Sequence, residues 1–243
     1  LLVGSGGIGK TLLSQQVGSA LSLGQSFIDR IESPHKVLMW ACEDDHDELW
    51  RRQVNIAHSF KVGLEAFAEN FRLVPRHGYQ NALCFFEYNK LVFTSLLDEL
   101  AKEADEFKAE VVILDNIGQL YGGGENDRHA VTAFLNTLSG VLHGRAILLL
   151  AHPSRSSGSE FSGSSAWENV ARTRLYLGAT LPGEKPDADA DPQDSVRYLA
   201  RRKANYSPKD WRRLTYADGA LTPDDLSTGG ILTSIKAGRA ERI

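Results

Sequence analysis

The first eleven residues, Leu1-Leu2-Val3-Gly4-Ser5-Gly6-Gly7-Ile8-Gly9-Lys10-Thr11, decide the fold. Three apolar residues read as the tail of a buried strand, and the abrupt start predicts further chain ahead of Leu1. A glycine-rich turn follows. It opens a segment from Lys10 to about Leu23 in which Leu13, Val17 and Leu21 share one helical face. Gly4 to Thr11 satisfies G-x-x-x-x-G-K-[ST] at every fixed position, between the strand and the helix that this loop requires. Successive backbone N–H groups in such a turn, with the helix N-terminus behind them, form an anion cradle. Gly4, Ser5, Gly6, Gly7, Ile8, Gly9, Lys10, Thr11 and Leu12 are therefore the expected binding residues for a nucleoside triphosphate. In such a loop the lysine reaches the terminal phosphates and the Thr11 hydroxyl sits on Mg²⁺.

Working outward, the chain alternates strand and helix. Lys36 to Cys42 is a buried strand, and the acidic cluster from Glu43 to Asp47 opens a helix carrying Leu49, Trp50 and Val54. Phe71 to Val74 predicts a short strand. Tyr88 to Phe107 predicts a helix with Leu91, Leu96, Leu97 and Leu100 inward. Val111 to Asp115 is a strand ending in a carboxylate, Leu120 to Asp127 a glycine-containing loop and Arg128 to Leu142 a helix. Ala146 to Ala151 is a strand ending at His152, followed by a Ser/Gly-rich loop to Ser165. Beyond it the period shortens. Arg174–Leu177, Ser195–Arg202, Arg212–Tyr216 and Ala220–Leu221 read as alternating strands, and the acidic stretch from Gly183 to Asp194 as a loop. The expected fold class is α/β over one domain, residues 1–243: a mostly parallel sheet flanked by helices and extended by C-terminal antiparallel strands.

Composition narrows the class. The chain has 243 residues, 42% of them hydrophobic, enough for a sizeable core. A net charge of −4 gives no global nucleic-acid footprint, so any such surface must be local. Cys42 and Cys84 form neither a disulfide framework nor a metal-ligand pattern, which points to a reducing cytoplasm. No apolar run approaches the length of a membrane span.

Three strand ends carry the remaining chemistry. Asp115 stands where a carboxylate holds the Mg²⁺ shell, or it starts a turn before Asn116. Glu43 follows the strand bearing Trp40. Strand C-termini gather at the ligand crevice of such sheets, so Glu43 either deprotonates the attacking water or simply begins a helix. His152 either senses the terminal phosphate or is structural.

These residues resemble a known family. The order of Glu43, Asp115 and His152 at strand ends is similar to that of RecA-like P-loop ATPases. The closer resemblance is to RepA-type hexameric replicative DNA helicases. It rests on Lys10-Thr11, on Glu125-Asn126, on Gly163-Ser164-Ser165 through Arg172, and on Lys203-Ala204-Asn205-Tyr206. The resemblance implies a homo-hexameric ring with ATP and Mg²⁺ between subunits, and single-stranded DNA in the channel. It implies that Glu43 activates water and that His152 couples the terminal phosphate to the loop after it. Arg172 would be an arginine finger offered to the neighbouring subunit's ATP, with Arg174 as its rival on the same strand face, or else a plain surface strand arginine. Lys203 would be a second positive group, although Arg202 and Ala204 stand where ring helicases carry a Lys-x-Arg pair. DNA contacts would come from Arg128, Arg155, Ser156 and Ser159 on channel loops that are not strongly basic, or these are solvated loop residues.

The basic stretch Arg197, Arg201, Arg202, Lys203, Lys209, Arg212 and Arg213 could face nucleic acid, a neighbour's nucleotide or solvent. The competing reading is an oligomeric RecA-like ATPase with a regulatory, recombination or assembly role and no unwinding. A purely binding module is disfavoured by Lys10, Thr11, Glu43 and Asp115 occurring together.

Overall fold

The computed structural model describes residues 1–88, 90–152, 165–180, 195–205 and 210–224. In chain order the elements are β1 (Leu2–Val3), α1 (Lys10–Leu23), β2 (Val37–Ala41), α2 (His46–Phe60) and β3 (Phe71–Pro75). Next come β4 (Cys84–Glu87), β5 (Lys90–Phe93), α3 (Ser95–Phe107), β6 (Val111–Asp115), α4 (Ile117–Leu120) and β7 (Tyr121–Gly122). The last are α5 (Arg128–Val141), β8 (Ala146–Ala151), α6 (Ser165–Val170), β9 (Thr173–Gly178), β10 (Val196–Ala204), β11 (Trp211–Ala217) and β12 (Ala220–Pro223).

The described strands form a nine-stranded sheet in the order β12-β11-β10-β9-β1-β8-β6-β2-β3. From β3 to β9 every pairing is parallel, and β10, β11 and β12 add on antiparallel. This is the expected α/β class. Both faces are covered, which is why the central strands read as unbroken apolar runs. The two-residue period divides them between two cores. Leu38, Trp40, Val112 and Leu114 face the helices α3 and α5, while Val37, Met39, Ala41 and Ile113 face α1 and α2.

Helix α1 is held by more than its apolar stripe. Leu13 is buried, as are Gln15, Gln16, Ser19 and Ser22. Gln15 donates to the Leu49 carbonyl and to Gln53 of α2. Gln16 donates to Leu221 O at 2.7 Å and accepts from Leu221 N at 2.9 Å, clamping the C-terminal hairpin to α1. Helix α2 starts as expected from the acidic cluster, with Asp45 capping Glu48 N–H.

Two expectations are corrected. The helix begins at Ser95, not Tyr88, because Lys90–Phe93 pairs antiparallel with Cys84–Glu87. Phe86, Leu91 and Phe93 pack on the core from this hairpin. Leu91 stands about half a turn out of phase with Leu96, Leu97 and Leu100 at roughly 100° per residue, so it does not belong to their helical stripe, and the connection at Tyr88 (φ +45°) has no glycine to announce it. The loop after Leu120 also contains β7, which joins β4 and β5 in a second, three-stranded sheet. Helix α6 was not foreseen. Its Trp167 packs edge-on to Tyr121 and Phe134. Cys42 and Cys84 are free and buried. Among the described residues no helix is long and apolar enough to cross a membrane.

Candidate functional site

The phosphate loop, Glu43, Asp115 and His152 all lie at the C-terminal ends of parallel strands. Those strands, β1, β8, β6 and β2, are neighbours in the sheet, so four distant pieces of sequence converge on one crevice. A hydrogen bond from Cys42 N to Asp115 O, 2.7 Å, ties the ends of β2 and β6 together.

The loop needs its glycines for geometry. Gly9 has φ +101°, and a Cβ on Gly4 would stand 2.6 Å from the Leu177 carbonyl of β9. Beyond Gly6, Gly7 and Gly9 nothing lies within 4 Å of where a Cβ would point, among the described residues. The concave side is thus open to a ligand. Lys10 is buried at its base, and Nζ donates to Gly4 O (2.8 Å) and Ser5 O (3.0 Å) and lies 3.2 Å from His152 Nδ1. Burial pulls the ammonium below its ordinary pKa, opposed by the carboxylates of Asp115 and Glu43.

Thr11 Oγ1 donates to Asp115 Oδ2 at 2.5 Å. Asp115 is 1% exposed, and its Oδ1 is a buried oxygen with no hydrogen-bond partner among the described residues. Burial pushes its carboxyl up to about 6; the Thr11 hydrogen bond opposes this, and Glu43 and Asp44 add to it. A hydroxyl paired with an under-satisfied carboxylate beneath a phosphate cradle fits the Mg²⁺ of a nucleotide complex, an ion that takes few protein ligands and keeps waters and phosphates. No cluster of three or more His, Cys, Asp or Glu that could hold a metal by itself occurs among the described residues.

Glu43 is exposed at the mouth of the crevice, with Oε1 3.7 Å from His152 Nε2. Its backbone carbonyl accepts from His77 Nδ1–H at 2.8 Å. Asn116 Nδ2 lies 3.2 Å from His152 Nε2. Sequence reasoning passed over both His77 and Asn116, because neither belongs to a spaced motif. It also passed over a cavity of about 230 Å³ beside the phosphate loop, lined by Leu12, Arg51, Arg52, Arg197 and Tyr216 among others. Arg197, buried, donates to the Ile8 carbonyl and braces the loop from β10.

Arg172 and Lys203 are not in this crevice. Leu1 N bonds Thr173 O, and Gly4 abuts Leu177, so the start of β9 lies at the far end of the sheet from the phosphate loop. Four strand residues separate those levels, roughly 13 Å at ~3.3 Å each. Arg172 is exposed just before β9. Arg174 lies within β9, two residues on from Arg172. Lys203 pairs with Arg174 in register and donates to Asn169 O at 3.2 Å, which brings it to the Arg172 end.

The basic stretch is not one patch. Arg201 pairs with Asp210, Arg213 with Asp224, and Arg212 donates to Ile28 O. Arg128 is exposed at the start of α5. Arg155, Ser156, Ser159, Gly163, Ser164, Tyr206, Lys209 and the 183–194 stretch lie outside the described residues.

A glycine loop between strand and helix, a buried lysine, and a Thr–Asp pair at the adjoining strand end define a P-loop nucleotide-binding domain. The chain matches the AAA domain family AAA_25 over residues 1–158 and belongs to it, which places it among the P-loop ATPases. No curated protein matches the chain.

Proposed function

We propose that this chain is the motor domain of a ring-shaped replicative DNA helicase, a homo-hexamer that hydrolyses ATP at subunit interfaces and moves on single-stranded DNA. The observation that carries the reading is the placement of Arg172 and Lys203. Both sit at the opposite end of the sheet from the phosphate loop, so neither can serve the ATP of its own subunit. In this reading the phosphate loop is half a site, and a neighbour's Arg172 completes it.

Within the site, Gly4 to Thr11 wrap the phosphates and Lys10 turns from the Gly4 and Ser5 carbonyls to the β- and γ-phosphates. Leu12, Arg51 and Tyr216 flank the base and ribose in the adjoining cavity. Thr11 and Asp115 would hold Mg²⁺, which would supply positive charge against that developing on the phosphates. Glu43 accepts the proton of the attacking water, and His152 contacts the terminal phosphate. The neighbour's Arg172 stabilises the transition-state charge, an effect worth roughly 10³–10⁵ in rate in GTPases.

The test has two parts. Forked-duplex unwinding is measured beside ATP turnover with and without single-stranded DNA. Subunits carrying Lys10→Ala are then mixed with subunits carrying Arg172→Ala. DNA-stimulated turnover, strand separation and partial rescue in the mixture support the reading. Turnover indifferent to DNA removes the motor. It would leave an oligomeric ATPase of a regulatory or assembly kind, a second reading favoured by the ion-paired state of Arg201 and Arg213.

A further inference from the structure

His152 is flanked by two hydrogen-bond donors. Lys10 Nζ lies 3.2 Å from Nδ1 and Asn116 Nδ2 lies 3.2 Å from Nε2. A neutral imidazole has one N–H and one lone pair, so it cannot accept from both. The fold decides which contact is fixed. Asn116 caps α4, and its Oδ1 accepts Gln119 N–H at 3.3 Å, which turns the amide NH₂ toward the ring. Flipping the amide would uncap the helix inside the protein, where Asn116 is 1% exposed. Lys10 is under no such constraint. It has the Gly4 and Ser5 carbonyls at 2.8 and 3.0 Å, and a nucleotide offers it phosphate oxygens.

We propose that Asn116 sets the tautomer of His152. Its amide donates to Nε2 and so places the single ring proton on Nδ1, the nitrogen that faces the phosphate loop. The inference rests on the reading of this crevice as an ATP site. With nucleotide bound, Lys10 turns to the phosphates and Nδ1–H is left as a donor aimed at the terminal phosphate. The other tautomer would put the proton on Nε2, 3.7 Å from the Glu43 carboxylate, and would engage the group that must accept a proton from water. Asn116 is thus a positioning residue. It makes His152 a donor to phosphate and keeps Glu43 available, so a triphosphate meets a donor that a diphosphate does not reach.

The experiment is ¹⁵N spectroscopy of the imidazoles in the full chain, with His152 assigned from its loss in His152→Asn. Spectra are taken with Mg²⁺ and a non-hydrolysable ATP analogue, and with ADP. Binding of the analogue is measured in the same samples. The expected result is a proton on Nδ1 and an accepting Nε2 in the analogue complex. Asn116→Ser keeps a capping oxygen but is too short to reach the ring. It should move the ring proton toward Nε2. It should also lower kcat about tenfold, as befits one lost hydrogen bond in the transition state, with ADP affinity unchanged. An Nε2–H tautomer in the wild-type complex overturns the inference, and so does an Asn116→Ser protein with unaltered tautomer and kcat. If that variant does not fold, the wild-type tautomer alone decides. If no analogue binds, the ATP-site reading falls and this inference with it. Binding with the wrong tautomer overturns this inference alone.

Discussion

Replacing Asp115 with Asn should change how the stability of the metal-free protein depends on pH. The carboxyl is buried, its Oδ1 lacks a partner among the described residues, and its pKa is raised from 3.8 to about 6. Between those values the folded chain holds a proton that the unfolded chain has released. Stability therefore falls as pH rises from about 4 to about 6, and the full penalty persists above that. The rise corresponds to on the order of 3 kcal/mol at ~1.4 kcal/mol per pH unit. Asn cannot ionise, so Asp115→Asn lacks this dependence. Any constant difference between amide and carboxyl cancels when two pH values are compared.

Urea denaturation of both proteins with a chelator at pH 4 and pH 7.5 gives the comparison. The advantage of Asp115→Asn over wild type should grow by on the order of 2–3 kcal/mol from the lower pH to the higher. Mg²⁺ and ATP should shrink that advantage at pH 7.5, because the wild type, with its metal-holding carboxylate, gains the larger binding stabilisation, about 2.7 kcal/mol at a ligand concentration of 100 Kd. A difference that does not vary with pH, or one that shrinks as pH rises, would refute the account of Asp115 as a carboxylate held at an energetic disadvantage for an ion.

Other outcomes follow from single contacts. Gln16→Leu leaves both backbone groups of Leu221 buried without partners, and should lower stability by about 2–4 kcal/mol in urea melts. A change within experimental error would mean the C-terminal hairpin is not anchored there. Tyr216→Ala should weaken ATP and ADP binding about tenfold with little change in kcat, the signature of uniform base binding. Equal affinity for both proteins, measured by calorimetry, would move the base out of that cavity. Gly4→Ala, whose Cβ would meet the Leu177 carbonyl at 2.6 Å, should disturb the loop and reduce nucleotide affinity at least tenfold; undiminished affinity in the same titration would show that the loop can shift.

Much of the fold was legible because the signals were redundant. Val37–Ala41 and Val111–Asp115 are apolar runs, the second ending in Asp115 at the crevice and the first followed two residues on by Glu43. The phosphate loop combined a sequence motif with its strand and helix context. The hairpin at Cys84–Phe93 was hidden because its two strands are only four residues each and its turn has no glycine. Helix α6 was hidden because Ala166 and Trp167 are too few to show a period. In the site, Lys10, Thr11 and Asp115 were legible from spacing. His77 and Asn116 were not, since they act through a carbonyl and a ring nitrogen that only tertiary structure brings near.

The most direct measurement is phosphate release from ATP with Mg²⁺ by the wild-type chain and by Glu43→Gln, with ATP binding measured in the same preparations. The account predicts that both proteins bind ATP with similar affinity. The wild type should turn over, while Glu43→Gln is slower by roughly 10²–10⁴, the contribution of a general base. A wild type that binds ATP without releasing phosphate, or a Glu43→Gln protein that hydrolyses it as fast, would contradict it.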